Sequence, residues 1–243
     1  MLKFVLTCEH GGNQVPPAYA ALFKEEQEAL ATHRGYDIGA LELFQELEEL
    51  ADKSFYAETS RLLVELNRSL HHKGLFSSIT RSLPAEEKET ILKEHYFPYR
   101  ERVEQLMEDL VSAGRRVLHV AVHTFTPVLN GEERQADIGL LYDPKRKAEQ
   151  SFCKHWKQAL QEQDTSLLVR YNYPYLGIAD GFPTYLRRRF SEQEYIGIEL
   201  EVNQKFPLGD QQAWRQLKEG VKLALQHVLL QHKRDEKDVA TYR

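Results

Sequence analysis

RVLHVAVH, residues 116–123, is the stretch on which the fold turns. Its nearly unbroken apolar run is that of a strand covered on both faces, and it ends on a histidine where the apolar pattern stops. Working outward, a long helix precedes it over 84–114, opened by Pro84 and closed by Gly114, a residue type favoured just past a helix end. Further strands are expected at 138–142, 167–171 and 195–202, with helices at 146–163 and 211–231. On the N-terminal side, 4–7 reads as a short buried strand stopped by Gly11 and Gly12. A charged helical stretch follows over 16–30. Next comes a helix beginning at Asp37, with Ala40, Phe44, Leu47 and Leu50 at helical spacing, and then strands at 54–57 and 62–66. Strands alternating with helices predict a three-layer α/β fold, a mixed, mostly parallel sheet flanked by helices on both faces.

With 243 residues, 42% of them hydrophobic and 28% charged, the chain can bury a sizeable core and is not of disordered composition. No linker-like segment divides it, so a single domain is expected over 1–243, its polar end at 233–243 frayed. A net charge of −5 argues against a nucleic-acid binder, which needs a basic surface to displace phosphate counterions. The apolar run at the N-terminus is too short for a signal peptide or a membrane span. No membrane association is therefore expected, and the cytoplasm is the expected location. Cys8 and Cys153 are the only cysteines, too few for a disulfide framework.

In open α/β sheets functional groups gather beyond the C-terminal ends of the strands. Those positions hold Glu9 and His10, Asn67 and Arg68, His123, and Glu201. Two imidazoles and a carboxylate, with one position left for water, make a catalytic zinc site. His10 and His123 sit at equivalent strand ends, and Asp37 follows the polar run His33-Arg34-Gly35-Tyr36 as the carboxylate. On local pattern alone Asp37 reads more readily as a helix cap. Alternation puts Glu199 and Glu201 on one strand face, where burial is costly unless they are paired or metal-linked. Glu201 is the expected general base; the alternative is an edge strand with a wet face. Arg61 and Arg68 flank 62–66 and, with Asn67, offer donors to a carboxylate or a carbonyl, or else form a surface pair. His71-His72 reads as a polar loop, His95 as a packing residue and Cys8 as a small buried hydrophobe. One of Arg187, Arg188 and Arg189 could reach an anionic substrate, although such a run is usually a solvated face. Neither a phosphate-binding glycine loop nor a G-x-S-x-G elbow is present.

The segments CEHGGNQVPP (8–17), HRGYDIGAL (33–41), SRLLVELNRS (60–69), AVHTFTPV (121–128), YNYPYLGIADGF (171–182) and IGIELEVNQ (196–204) carry the reading further. In these blocks, which span nearly the whole chain, the sequence resembles the N-formylglutamate amidohydrolase family. That family is similar in turn to zinc carboxypeptidases and aspartoacylase-type deacylases, with a phosphorylase/hydrolase-like α/β fold. The resemblance implies one zinc ion held by His10 and His123, with Glu201 as the catalytic glutamate. It makes Asn67 and Arg68 a clamp for the substrate carboxylate and has Arg61 polarise the scissile carbonyl. The implied substrate is a small acyl amino acid, N-formylglutamate foremost. Another acyl-amino acid, a short peptide, or a non-catalytic ligand-binding role are the alternatives. Where the carboxypeptidase relatives place a glutamate three residues after the first histidine, this chain has Asn13, and Asp37 is put in its stead. Glu65 replaces the aspartate before the Asn-Arg pair.

Overall fold

In the computed structural model, backbone is described for residues 1–241 and side chains for 1–232 and Arg234. The fraying expected at 233–243 falls almost wholly outside the described side chains. Eight strands form: β1 (Leu2–Cys8), β2 (Lys53–Tyr56), β3 (Arg116–Phe125), β4 (Val128–Leu129), β5 (Glu132–Glu133), β6 (Ile138–Leu141), β7 (Val169–Tyr171) and β8 (Tyr195–Asn203). The helices are α1 (Gln27–Leu30), α2 (Ala40–Leu47), α3 (Ala85–Ile91), α4 (Phe97–Ser112), α5 (Lys147–Gln163), α6 (Phe182–Arg187) and α7 (Gln211–Thr241). Six strands make one sheet in the order β2-β1-β3-β8-β6-β7, while β4 and β5 form a separate hairpin. Every neighbouring pair in the large sheet is parallel except β6 with β8. The expected three-layer α/β architecture is therefore present.

Strand alternation sorts the two faces. Phe4, Leu6, Leu118, Val120, Ile198 and Leu200 point to one side, where Phe44 of α2, Trp156 of α5 and Trp214 of α7 pack on them. Each such Leu, Ile or Phe contributes about 1.5–3 kcal/mol by leaving water. Val5, Val117 and Tyr195 point to the other side, against Val103 and Met107 of α4 and Phe182 and Leu186 of α6. Thr7, His119, Ala121, His123, Gly197, Glu199 and Glu201 share that second face by the same alternation. The buried histidines and glutamates of β3 and β8 thus share one face of the sheet.

Three expectations are corrected. The stretch 62–66 is not a strand but a succession of buried turns, with Leu63 N bonded to Ser60 O and Glu65 N to Leu75 O. A short apolar run carries no period by which to tell a strand from packed irregular chain. The helical stretch over 16–30 is reduced to a 3-10 segment, Pro17–Phe23, and the four-residue α1. The helix expected from Asp37 starts at Ala40, and its cap is Gly39, held at φ +83° with no side-chain cap bond. The long helix over 84–114 forms with a π-turn at Leu92–Tyr96, just ahead of Pro98, whose missing N–H breaks the ladder. It ends before Gly114 at φ +69°. Among the described residues, no helix is long and apolar enough to cross a membrane.

Candidate metal and active site

The ends of β1, β3 and β8 lie side by side, and their register pairs His123 directly with Glu201. On the far side of β8, Gly139 of β6 faces Glu201; a Cβ there would meet Tyr173 O at 1.9 Å, so only glycine lets that chain cross. His10, just past β1, brings its ring to 5.0 Å from that of His123. Asp37 closes the group from the loop before α2, where Asp37 N donates to His10 O at 3.0 Å. Its carboxylate makes no helix cap. Instead Oδ2 lies 3.1 Å from His10 Nδ1 and 2.9 Å from His123 Nδ1. One ligand atom from each of His10, Asp37 and His123 falls within 4.8 Å of the others, and all three residues are buried.

The opposite ring nitrogens are held by carboxylates. His10 Nε2 contacts Glu65 Oε1, and His123 Nε2 lies 3.3 Å from Glu9 Oε2. A neutral imidazole that gives its Nε2–H to a carboxylate presents only a lone pair at Nδ1. Three acceptors, two nitrogens and Asp37 Oδ2, then converge with no proton among them. A cation satisfies that set, and a carboxylate behind each histidine is the usual support of a metal-bound ring. The residues present therefore fit a divalent metal. Without one, His123 is held toward its charged form. Burial lowers the His123 pKa, but hydrogen bonds to Asp37 and Glu9 overcome it and hold it well above its ordinary value. Burial likewise raises Asp37, and the His10 charge with bonds from both rings brings it well below the usual range.

Arg61 ties the cluster together. Its Nη1 donates to Asp37 Oδ1 at 3.0 Å and its Nε to Glu65 Oε2 at 2.8 Å. It also lines a cavity of about 320 Å³ over Asp37, bordered by His33, Arg34, Thr126 and Tyr175. Burial and the charges of Arg34, Arg61 and Arg134 depress the His33 pKa, so the surroundings of the cavity are cationic. Glu201 is buried in an interior strand, not on a wet edge, and its Oε2 has no hydrogen-bond partner. Burial lifts its pKa to about 8, with His123 opposing and Asp37 and Glu199 adding to the rise.

The other sequence-predicted residues are placed as follows. Asn67 is buried beside the cluster, its Oδ1 accepting from Phe182 N at 2.6 Å and its Nδ2 lying 3.5 Å from His123 Nε2. Arg68 turns toward the 180s loop and donates to Asp180 O. Asn13 stays out of the cluster, its Nδ2 donating to Leu30 O at 3.0 Å. Arg187 is not substrate-facing. Its side chain is largely covered, with Nε donating to Glu149 Oε1 at 3.0 Å and Nη2 to Gly197 O at 2.7 Å. Arg189 pairs with Glu104 and Glu108. His95 packs edge-on to Tyr19 at 6.1 Å, and Cys8 is fully buried. Sequence reasoning missed the parts played by Glu9 and Glu65. Their signal was a charge inside an apolar stretch, in TCEH (7–10) and LLVELN (62–67), which implies a partner when buried.

The fold is shared with two crystal structures. A gene product of Agrobacterium tumefaciens superposes with a TM-score of 0.77 at 24% identity, over 95% of this chain and 92% of the other. An N-formylglutamate amidohydrolase from Ralstonia eutropha superposes with a TM-score of 0.72 at 16% identity, over 94% and 93%. No curated protein matches the sequence. Fold, site and relatives together define a hydrolytic, amide-cleaving enzyme. More narrowly, residues 2–207 match the profile of the N-formylglutamate amidohydrolase family, and the chain belongs to it.

Proposed function

We propose that this enzyme hydrolyses, with zinc, the amide of a small N-acylated amino acid, foremost N-formylglutamate to formate and glutamate. The observation that carries the reading is the convergence of His10 Nδ1, His123 Nδ1 and Asp37 Oδ2, each ring being backed by a buried carboxylate. His10, Asp37 and His123 would hold the zinc ion, which would supply Lewis acidity toward the attacking water and the scissile carbonyl. Glu201 takes the proton as the water oxygen bonds to the carbonyl carbon, and returns it to the amide nitrogen as the C–N bond breaks. Arg61, locked between Asp37 and Glu65, donates to the developing oxyanion. Asn67 and Arg68 hold the α-carboxylate. The whole of 1–243 acts as one domain in the cytoplasm.

The substrate class is supported by charge. His33, Arg34 and Arg61 line the cavity, and Arg134 stacks on two aromatic rings beside it, 4.9 Å from the Tyr175 centroid and 5.8 Å from that of Phe125. A ligand with two carboxylates matches such a lining better than one with a single charge. Arg34→Ala is accordingly expected to raise KM for N-formylglutamate about tenfold or more, the worth of one hydrogen bond to a charged group, and to leave N-formylalanine unaffected. Steady-state kinetics on the two substrates check it.

The deciding experiment is a hydrolysis screen of N-formyl, N-acetyl and N-succinyl amino acids, run beside metal analysis of protein purified without chelators. One zinc per chain, fastest turnover of N-formylglutamate and loss of activity on chelation are expected. Absence of stoichiometric metal would sink the zinc reading. Bound zinc with preference for another acyl group would keep the chemistry and change the substrate.

A further inference from the structure

The chemistry above assigns no contact to Arg134, which directly follows the β4–β5 hairpin and is held from several sides. Its N–H donates to Pro127 O at 2.7 Å, and Asn203 Nδ2 donates to its carbonyl at 3.2 Å. The next amide, Gln135 N, donates to Tyr173 Oη at 3.1 Å. The half-buried side chain is fixed as well. Its guanidinium lies over the rings of Phe125 and Tyr175, and Nη1 donates to Tyr175 Oη at 3.1 Å. Both of those rings line the cavity over Asp37.

Glu132 and Glu133 stand next to Arg134 in the chain, yet among the described residues no carboxylate forms an ion pair with it. A guanidinium carries five N–H donors, and among the described residues only Nη1 has a protein acceptor. Holding so long a side chain costs rotamer freedom, of which a partly exposed cation–π contact recovers only a part. An arginine that is fixed, yet keeps its charge and most of its fork unspent, suits an acceptor from outside the protein. A carboxylate meets that planar fork with two parallel bonds. Arg61 on the same cavity differs, because Asp37 and Glu65 already take its donors. Arg34 lines the cavity and, among the described residues, has no ion pair of its own. The charges of Arg34 and Arg134 both reach His33 on the rim, where with Arg61 they add to burial in lowering its pKa. The two uncompensated arginines therefore serve one space.

We propose that Arg134 is a specificity-determining residue that, beside Arg34, takes the side-chain carboxylate of an acidic acyl amino acid, with Tyr175 as the residue that positions it. The inference rests on the acyl-amino-acid reading above and adds the group that selects the acidic side chain. It is tested on the full chain with Arg134→Gln, Arg134→Lys and Tyr175→Phe, by steady-state kinetics on N-formylglutamate and on its neutral isostere, N-formylglutamine. Arg134→Gln should lower the kcat/KM preference for the acidic substrate about tenfold or more, the worth of one hydrogen bond to a charged group, through KM and not through kcat. Arg134→Lys keeps the charge without the fork and should recover part of the preference. Tyr175→Phe keeps the ring, removes the acceptor for Nη1 and should move the preference in the same direction by less; it decides if Arg134→Gln does not fold. A folded Arg134→Gln protein that keeps the wild-type preference, or that loses both substrates equally as a merely structural arginine would, overturns the inference alone. So does a wild-type enzyme that cleaves acyl amino acids without preferring the acidic one. A folded wild-type protein that cleaves no acyl amino acid overturns the reading beneath it and this inference with it.

Discussion

Glu201→Gln is expected to bind zinc like the wild-type protein and to hydrolyse the substrate about 10²–10⁴-fold more slowly, the range for losing a general acid–base group. The side chain is isosteric, and Glu201 is not one of the three groups that converge on the metal position, so only proton transfer is removed. Burial lifts the Glu201 pKa to about 8 in the metal-free protein. A cation beside it opposes burial and brings it toward neutrality, where a group can both take and return a proton. The same shift has a consequence for stability. A carboxyl whose folded pKa lies above its unfolded value contributes stability that is fully present below the unfolded value and is lost as pH rises through the folded one. In the metal-free wild type that loss runs from the ordinary glutamate value of 4.5 through about 8. The glutamine of Glu201→Gln cannot ionise, so the metal-free variant should gain on wild type as pH is raised from about 5 to about 9. Parallel thermal scans across that range decide it. Equal pH dependence of the two proteins would mean that Glu201 is not the buried acid described, and unchanged turnover would move the base elsewhere.

How much of this was legible beforehand depends on whether the information is local. His123 and Glu201 end apolar runs in strands, and the end of a parallel strand is where an α/β sheet puts its chemistry, so both stood out from pattern alone. The interior position of β8 was expected over a wet edge, although period-2 alternation is the same for an edge and for a strand whose polar face is roofed by α4 and α6. The pairing of His10 with Glu65 and of His123 with Glu9 depends on how the turns over 62–66 fold back onto β1, a contact that no local spacing encodes. The cavity lining is assembled from three separate loops, through Arg34, Thr126 and Tyr175. Asp37 lay on the boundary: its position before a helix pointed to a cap, while the true cap is Gly39, which frees the carboxylate to turn toward the histidines.

That freed carboxylate gives the sharpest test. Asp37→Asn should lose zinc affinity by well over about 100-fold, more than the 10–100-fold typical of a group one shell further out, while remaining folded. Asp37 Oδ1 accepts from Arg61, and Oδ2 faces two ring nitrogens that both carry lone pairs. An asparagine keeps the oxygen for Arg61 and puts an NH2 where Oδ2 was, with one hydrogen for each Nδ1. The variant thus satisfies without a cation the three groups that converge as acceptors in wild type. Its pH behaviour should change accordingly. In metal-free wild type the His123 pKa is raised, so its contribution to stability is present below the unfolded histidine value and is lost as pH rises through the folded value. Asp37→Asn removes the hydrogen bond that does most to raise it, and metal-free stability should become flatter across neutral pH. Zinc titration and denaturant unfolding of the metal-free proteins give both answers. If Asp37→Asn keeps one tightly bound zinc per chain, the third ligand is not Asp37, and Glu201, the buried carboxylate with a free oxygen beside His123, becomes the residue to examine.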